Sequence, residues 1–349
     1  MSASLTSPAG GQDGSRPSLS LRTFLMRPEF TAVVGTIVVF AFFAIFTGSA
    51  GFLTVAMTRN YLEVAAEIGI IAAPITLLLV AGEFDLSVGS MVAASEVIIS
   101  YLTVDAGWSL PAALGAAVVA AAAVGTINGY LVVRTKLPSF IITLAMLFIV
   151  RGAAQGVLRM LTGTSTIDGV REAVGAAPSA LLFSSTVGPL SISVVWWIAI
   201  TLLAAWVLDG RVFGNWIYAT GGNQAAAVRT GIPVNRVKIL LYVAVAVSTT
   251  LVAVLDLYAI NQGSANAATG REFEVVTAAV IGGALLTGGY GSPIGTLFGA
   301  LLFGMVDQGF FFTPLPDVWF MTFLGLMLLL AVFINNYTRM QALKPRGRS

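Results

Sequence analysis

Apolar runs of roughly 20 residues recur along almost the whole of this 349-residue chain. A run of that length, wound as a helix, crosses a hydrocarbon core about 30 Å thick. Inside lipid the backbone must satisfy its own hydrogen bonds, which a helix does within a single segment. The composition agrees: 57% of residues are hydrophobic and 10% charged, against about 25% charged in a soluble globule. No large soluble domain fits. The chain is read as an all-α integral membrane protein.

Charges and helix breakers divide the apolar sequence into about ten transmembrane helices, near 30–48, 61–81, 87–104, 110–132, 139–159, 189–208, 238–259, 274–288, 293–311 and 318–336. The eighth is short and glycine-rich, which suggests a tilted, broken or partly re-entrant element lining a cavity. The stretch 1–28 is rich in Ser, Gly and Pro. It lacks an early apolar core and an Ala-x-Ala-like cleavage site, so it is expected to be a disordered cytoplasmic tail and not a signal peptide. Residues 29–337 then form the transmembrane domain, and 338–349 form a basic cytoplasmic tail.

With no Cys and no His, disulfides, thiolate chemistry, imidazole catalysis and the usual zinc sites are excluded. A membrane-embedded enzyme is correspondingly weak as a reading. The net charge of +2 is uninformative beside the placement of Lys and Arg. If the N-terminus is cytoplasmic, 13 of the 18 basic residues fall inside: Arg16, Arg22, Arg27, Arg134, Lys136, Arg211, Arg229, Arg236, Lys238, Arg339, Lys344, Arg346 and Arg348. That asymmetry places both termini in the cytoplasm. Segments 161–190, with Asp168, Arg171 and Glu172, and 261–272 become external. The polar island 209–237 becomes the largest cytoplasmic loop.

The halves resemble one another. Gly125-Thr-Ile-Asn-Gly129 precedes Pro138 and an apolar run, as Gly304-Met-Val-Asp-Gln-Gly309 precedes Pro316 and an apolar run. Five spans separate the two, an odd number, so the chain reads as two inverted five-helix-related halves, an arrangement that often puts a substrate path between repeats.

Three segments point to a family: Gly82-Glu-Phe-Asp-Leu-Ser-Val-Gly-Ser90, the run Gly221-Gly-Asn-Gln-Ala-Ala-Ala-Val-Arg-Thr-Gly231-Ile-Pro, and the glycine-rich stretch Glu274 to Ser292. In this order they resemble the membrane permease subunits of ribose-type (monosaccharide) ABC importers, over about Phe52 to Asn336. The resemblance implies a dimer in the bacterial inner membrane that receives a small polar solute from a periplasmic binding protein and is driven by cytoplasmic ABC ATPase subunits. The chain lacks a Gly-x-x-x-x-Gly-Lys-Ser/Thr phosphate loop. No cofactor is expected in it, and ATP and Mg are expected on the partner ATPase.

The island then resembles a coupling element. Gly214, Gly221 and Gly222 are expected to permit turns, and 224–230 to form a short helix ending at Gly231. The ATPase-coupling candidates are Gly221, Gly222, Asn223, Ala225, Ala226, Ala227, Arg229 and Gly231, with the alanines allowing close approach and Arg229 meeting acidic groups. A loop that merely contacts headgroups is the plainer alternative.

Candidates for a gate or path are Asp85, Ser87, Asn128, Gly282, Gly283, Gly288, Gly289, Asp307 and Gln308. Each has a bland reading. Asp85 or Ser87 is placed to cap the third span, the glycines to pack helices together with the small-residue face at Gly295 and Gly299, and the polar side chains to bond helix to helix. Glu83 departs from the apolar residue usual in the family at this place. Trp108, Trp196, Trp197 and Trp319 read as interface anchors. Within the family a nucleoside, a furanone signal or a branched-chain amino acid remains as solute. Outside it, an ion-coupled secondary transporter would need intramembrane ionisable groups, and the candidates are few and expected mostly near span ends.

Overall fold

The computed structural model describes residues 28–48, 51–175, 177–313, 316 and 319–343. The N-terminal tail lies outside them apart from Pro28, as do residues 344–349. Ten principal helices carry the fold. They are α1 (Pro28–Thr47), α2 (Val55–Val80), α3 (Val88–Ser100, continued by a π-turn over Tyr101–Asp105), α4 (Leu110–Thr135), α5 (Ser139–Thr162), α8 (Ile192–Gly210), α11 (Val234–Ile260), α12 (Arg271–Ile281), α13 (Pro293–Phe310) and α14 (Trp319–Leu343). Four short helices lie between them: α6 (Val170–Val174), α7 (Leu181–Ser184), α9 (Val212–Gly222) and α10 (Gln224–Arg229). Among the described residues, strands are confined to β1 (Thr166–Asp168), β2 (Thr186–Val187), β3 (Leu190–Ser191) and β4 (Gln262–Ser264).

Among the described residues seven helices are long and apolar enough to cross a membrane: α1 to α5, α8 and α11. The other three expected spans are present with different lengths. α12 has 11 residues, about 16 Å of helix and roughly half a hydrocarbon core. It gives way to an irregular glycine-rich break before α13 begins, as the short eighth span suggested. α14 runs to Leu343, so the helix continues past the boundary expected at 337.

The centre is α2 against α11. α2 is buried almost all round from Ala65 to Val80, the signature of a helix enclosed by other helices. The two run antiparallel: Tyr242, early in α11, reaches Phe84 just beyond the end of α2, while Glu63 and Glu67 of α2 share a cavity with Leu255 and Tyr258 late in α11. Each central helix packs into the other half of the chain. α2 lies on α12 and α13, and α11 lies on α3 and α4. The paired glycine motifs occupy matching places in this exchange. Gly125 and Gly129 of α4 abut the α11 backbone at Tyr242, Val243 and Ile239, and Gly304 of α13 abuts the α2 backbone at Tyr61 and Ala65. Hydroxyl pairs also join helices of opposite halves, with Thr76 to Thr296 at 2.6 Å between α2 and α13, and Ser95 to Thr250 at 3.2 Å between α3 and α11.

The outer helices turn apolar residues outwards, among them Val119 on α4, Phe148 and Ile149 on α5, and Leu202, Leu203 and Trp206 on α8. Such a surface suits lipid. The tryptophans divide. Trp108 and Trp319 are about half exposed, but Trp197 is buried with its indole pressed against Gly69 of α2, so it is a core residue and not the anchor expected.

At one end of the bundle the two segments expected to be external join: β1 pairs antiparallel with β4, Thr166 opposite Ser264. Arg171 donates to the carbonyls of Tyr258 and Ala259 at 2.7 and 2.6 Å, where the last carbonyls of α11 lack helical donors. The island lies at the other end.

Candidate functional site

α10 forms because both its ends are closed locally. The Asn223 side chain accepts from the Ala226 amide at 3.0 Å, an N-cap. At the other end Gly231 takes φ 84°, its N–H donates to Val228 and that of Ile232 to Ala227, which together make a Schellman stop. Ala225, Ala226, Val228 and Arg229 face outwards, whereas Ala227 is 3% exposed and belongs to the interior. Ala227 is therefore not a contact surface for a partner. The glycines expected to make turns before it do otherwise, since Gly214, Gly221 and Gly222 all lie inside α9.

Gly221 shows why a glycine stands there. A Cβ at this position would overlap the carbonyl oxygen of Val80, the last residue of α2. That carbonyl also accepts from the Gly289 amide at 2.8 Å. Gly288 and Gly289, at φ 80° and 76°, form the turn in the break after α12, and a Cβ on Gly288 would lie 2.9 Å from Gly82 Cα and 3.0 Å from Gly221 O. The three sequence motifs thus meet backbone to backbone at one point, where the end of α2, the end of α9 and the α12–α13 break touch. Gly282 and Gly283 stand at the start of that break, with Gly282 against Thr296 of α13. Gly295 and Gly299 pack on Gly282 and Ala278, so the small-residue face is a helix contact.

Charge and hydrogen bonds fasten the same end. The Lys238 ammonium donates to the Glu83 carboxylate and, at 2.9 Å, to Gln224 at the start of α10, and both members of the ion pair are buried. Tyr242 donates to the Phe84 carbonyl at 2.9 Å, and the Phe84 amide donates to Ser139 at 3.0 Å. Ser87 stands at the N-cap of α3 but its side chain makes no capping bond; its amide and hydroxyl both donate to Asp85 Oδ1, at 2.8 and 2.5 Å. Asn128 of α4 donates to the Ser87 hydroxyl at 3.0 Å. Asp85 and Ser87 therefore fix the α2–α3 connection to α4 and do not cap α3. Burial pushes the Asp85 carboxyl up to about 6, against the Ser87 bonds that favour its ionised form.

Asp85, Ser87 and Asn128 thus gather at the α2–α3 connection, the same connection that brings Gly82 against Gly288. Asp307 and Gln308 do not join them. They hydrogen-bond each other at 2.8 Å late in α13, beyond Gly304 and its contact with the early part of α2.

Sequence reasoning passed over a second polar group toward that opposite end. Glu67 of α2 pairs with Arg271 at 2.9 Å, Glu96 of α3 accepts from the Ser264 amide at 3.0 Å, and Arg151 of α5 donates to the Ala267 carbonyl at 2.6 Å. Glu96 and Asp256 are 3% and 5% exposed. Glu67 and Glu96 lie well inside their helices, which corrects the expectation that ionisable groups sit mostly near span ends. A carboxylate in an apolar run such as Val254-Leu-Asp256-Leu-Tyr258 was the available signal. Lys238 was counted as a loop charge because sequence alone does not show its partner.

Residues 57–332 match the family described as branched-chain amino acid transport system / permease component. The chain is 32% identical to the ribose import permease protein RbsC of Escherichia coli (strain K12), over 83% of this chain and 88% of that one. It is 34% identical to the L-arabinose ABC transporter permease protein AraH of Azospirillum brasilense, over 83% of each. With the xylose transport system permease protein XylH of Escherichia coli (strain K12) it shares 28% identity over 96% of this chain and 97% of that one. No solved structure matches it. A family match over residues 57–332 and identities of 32% and 34% across 83% of its length show that this multi-pass membrane protein belongs to the branched-chain amino acid transport system / permease component family.

Proposed function

We propose that the chain is the permease subunit of an ATP-driven importer that moves a monosaccharide or related small polar solute across the bacterial inner membrane. A periplasmic binding protein delivers the solute, and a cytoplasmic ABC ATPase holds ATP and Mg and supplies the energy. The working unit pairs two permease subunits, with both termini of each in the cytoplasm. The observation that carries this reading is the backbone junction of Gly82, Gly221 and Gly288. An element that exposes Ala225, Ala226, Val228 and Arg229 is fastened there to the ends of α2 and of the α12 break, so a push on α10 bears on both halves of the repeat. The sugars named in the relatives' descriptions favour a monosaccharide over the amino acid in the family's description.

Mid-helix carboxylates would suit an ion-coupled carrier. Here Glu67 is paired with Arg271 and Glu96 accepts a backbone amide, so both already have structural partners.

The test is uptake of labelled D-ribose, L-arabinose, D-xylose and L-leucine into proteoliposomes that hold the chain with its ATPase and binding protein. Uptake of one pentose that requires both ATP and the binding protein is expected. Uptake that follows a proton or sodium gradient without ATP overturns the reading.

A further inference from the structure

α8 turns an uncommon face to the core. Its buried residues are Ser193, Val194, Trp197, Thr201, Ala204 and Leu208, which fall in a stripe about 100° wide. Ser193 Oγ, Trp197 Nε1 and Thr201 Oγ1 are shut off from solvent and have no hydrogen-bond partner among the described residues. Standing four residues apart, they line up along one face. Trp197 Nε1 shows where that face points, because a Cβ on Gly69 of α2 would overlap it. Other helices do not leave such groups idle. Thr36, Thr76 and Thr143, also buried, donate to the carbonyls of Ala32, Ala72 and Ser139 one turn back, at 2.8, 2.8 and 2.9 Å. A buried donor without an acceptor is costly, and native interiors hold few. A line of them on one helix marks a contact that is closed here and satisfied in another arrangement.

The two ends of the contact differ. At the outer end a cavity of about 380 Å³ lies where the helices begin, with Glu63 and Glu67 of α2 and Ser184, Ser185 and Ser191 beside α8 in its wall. The Ser193 hydroxyl is sealed behind that wall. The inner end is clamped: Gly214 of α9 abuts the Leu208 carbonyl and Gly221 abuts that of Val80, so α9 ties the end of α8 to the end of α2. Five residues on from Gly69, Pro74 removes the helical donor from the Ile70 carbonyl, and a helix bends most readily at such a point. α8 passes into α9 through Arg211 alone, and α9 into α10 through Asn223 alone. A displacement of α10 is therefore carried to α8 along a short length of chain.

We propose that the contact of α8 with α2 is a seam that opens from its outer end during the transport cycle, pivoting on the α9 clamp. Water entering through the cavity then hydrogen-bonds Ser193, Trp197 and Thr201. Apolar packing holds the closed seam and three hydrated polar groups favour the open one, so a modest force shifts the balance between them. This rests on the importer reading and adds to it the helix that moves and the groups that stabilise its moved position.

The protein has no cysteine, so Thr201→Cys places a single thiol in the seam, and Ala253→Cys places one in the buried part of α11 as a control. Each is assembled with its ATPase and binding protein in nanodiscs. Reaction with a small charged methanethiosulfonate, which travels through water, is timed without nucleotide and with ATP and vanadate. The Thr201→Cys thiol should react at least tenfold faster in one state than in the other, and the Ala253→Cys thiol should stay unreactive in both. Thr201→Val and Ser193→Ala remove idle hydroxyls from the closed seam. Each should melt at the same temperature as the parent chain or up to about 4 °C higher, while solute-stimulated ATP hydrolysis falls roughly threefold to tenfold. Lower melting temperatures for both would mean that the hydroxyls are already bonded in the closed seam, and overturn the proposal. So would a Thr201→Cys thiol that reacts alike in both states of a transporter whose ATP hydrolysis still needs binding protein and solute, a result the importer reading survives. Reactivity gained by the Ala253→Cys thiol as well is general loosening and also overturns it. If the ATPase does not assemble with the folded chain, the importer reading fails, and the seam fails with it for want of a cycle to open it.

Discussion

Removing the Lys238 ammonium leaves the Glu83 carboxylate buried beside Gln224 with its charge partner gone. Breaking a buried pair from one side typically costs about 3–5 kcal/mol, while replacing both members with apolar groups is often neutral. Lys238→Met should therefore lower the melting temperature markedly, and Lys238→Met combined with Glu83→Leu should recover most of it. A double variant as unstable as the single would show that the ion pair does not set the cost. Asp85 gives a prediction of the other sign. Its folded value of about 6 lies above its ordinary 3.8, so the folded protein binds more protons between these values. Stability should fall as pH rises from about 4 to about 6 and then level off. Asp85→Asn, read by thermal melts across that range, should flatten the slope; an unchanged slope contradicts this source for it. Neither pairing was visible in the sequence. Glu83 and Lys238 are 155 positions apart and look like a loop acid and a loop base, and only the antiparallel packing of α2 on α11 brings them together.

At the scale of elements, legibility followed local chemistry. α10 was readable because its helix formers and Gly231 lie within one short stretch. The half-length α12 was readable from the glycine cluster that ends it. α9 was not, because Gly214, Gly221 and Gly222 argue locally for turns, and the contact of Gly221 with the end of α2 that calls for a glycine is tertiary. The same logic divides the alanines: Ala227 is buried, while Ala226 is free to meet a partner. Ala226→Trp should leave insertion and melting temperature unchanged while cutting solute-stimulated ATP hydrolysis by roughly tenfold or more, about 1.4 kcal/mol of lost coupling. Normal coupling in that variant removes α10 as the docking element.

At the scale of the molecule, the weak match between Gly125–Gly129 and Gly304–Gly309 proved structural, because each motif is where a helix of one half meets the central helix of the other. That exchange makes α2 and α11 a shared antiparallel core. Both ends of this core carry polar apparatus: the glycine junction with Glu83, Lys238 and Asp85 at one, and the serine-lined cavity with Glu67 and Arg271 at the other. The sequence showed the first end through its motifs. It hid the second because Ser184 and Ser185 read as loop residues, and Ser191 and Ser193 as the start of a span, until α2 and α11 close the space behind them. On the importer reading proposed above, ATPase force would enter at α10 and reach the opposite end through these central helices. The most direct measurement is ATP hydrolysis by the chain assembled with its ATPase in nanodiscs, with the binding protein and each pentose added separately and together. Stimulation that needs the binding protein and one pentose at the same time is the predicted result. Hydrolysis indifferent to both, or failure of the ATPase to assemble with a well-folded chain, would contradict it.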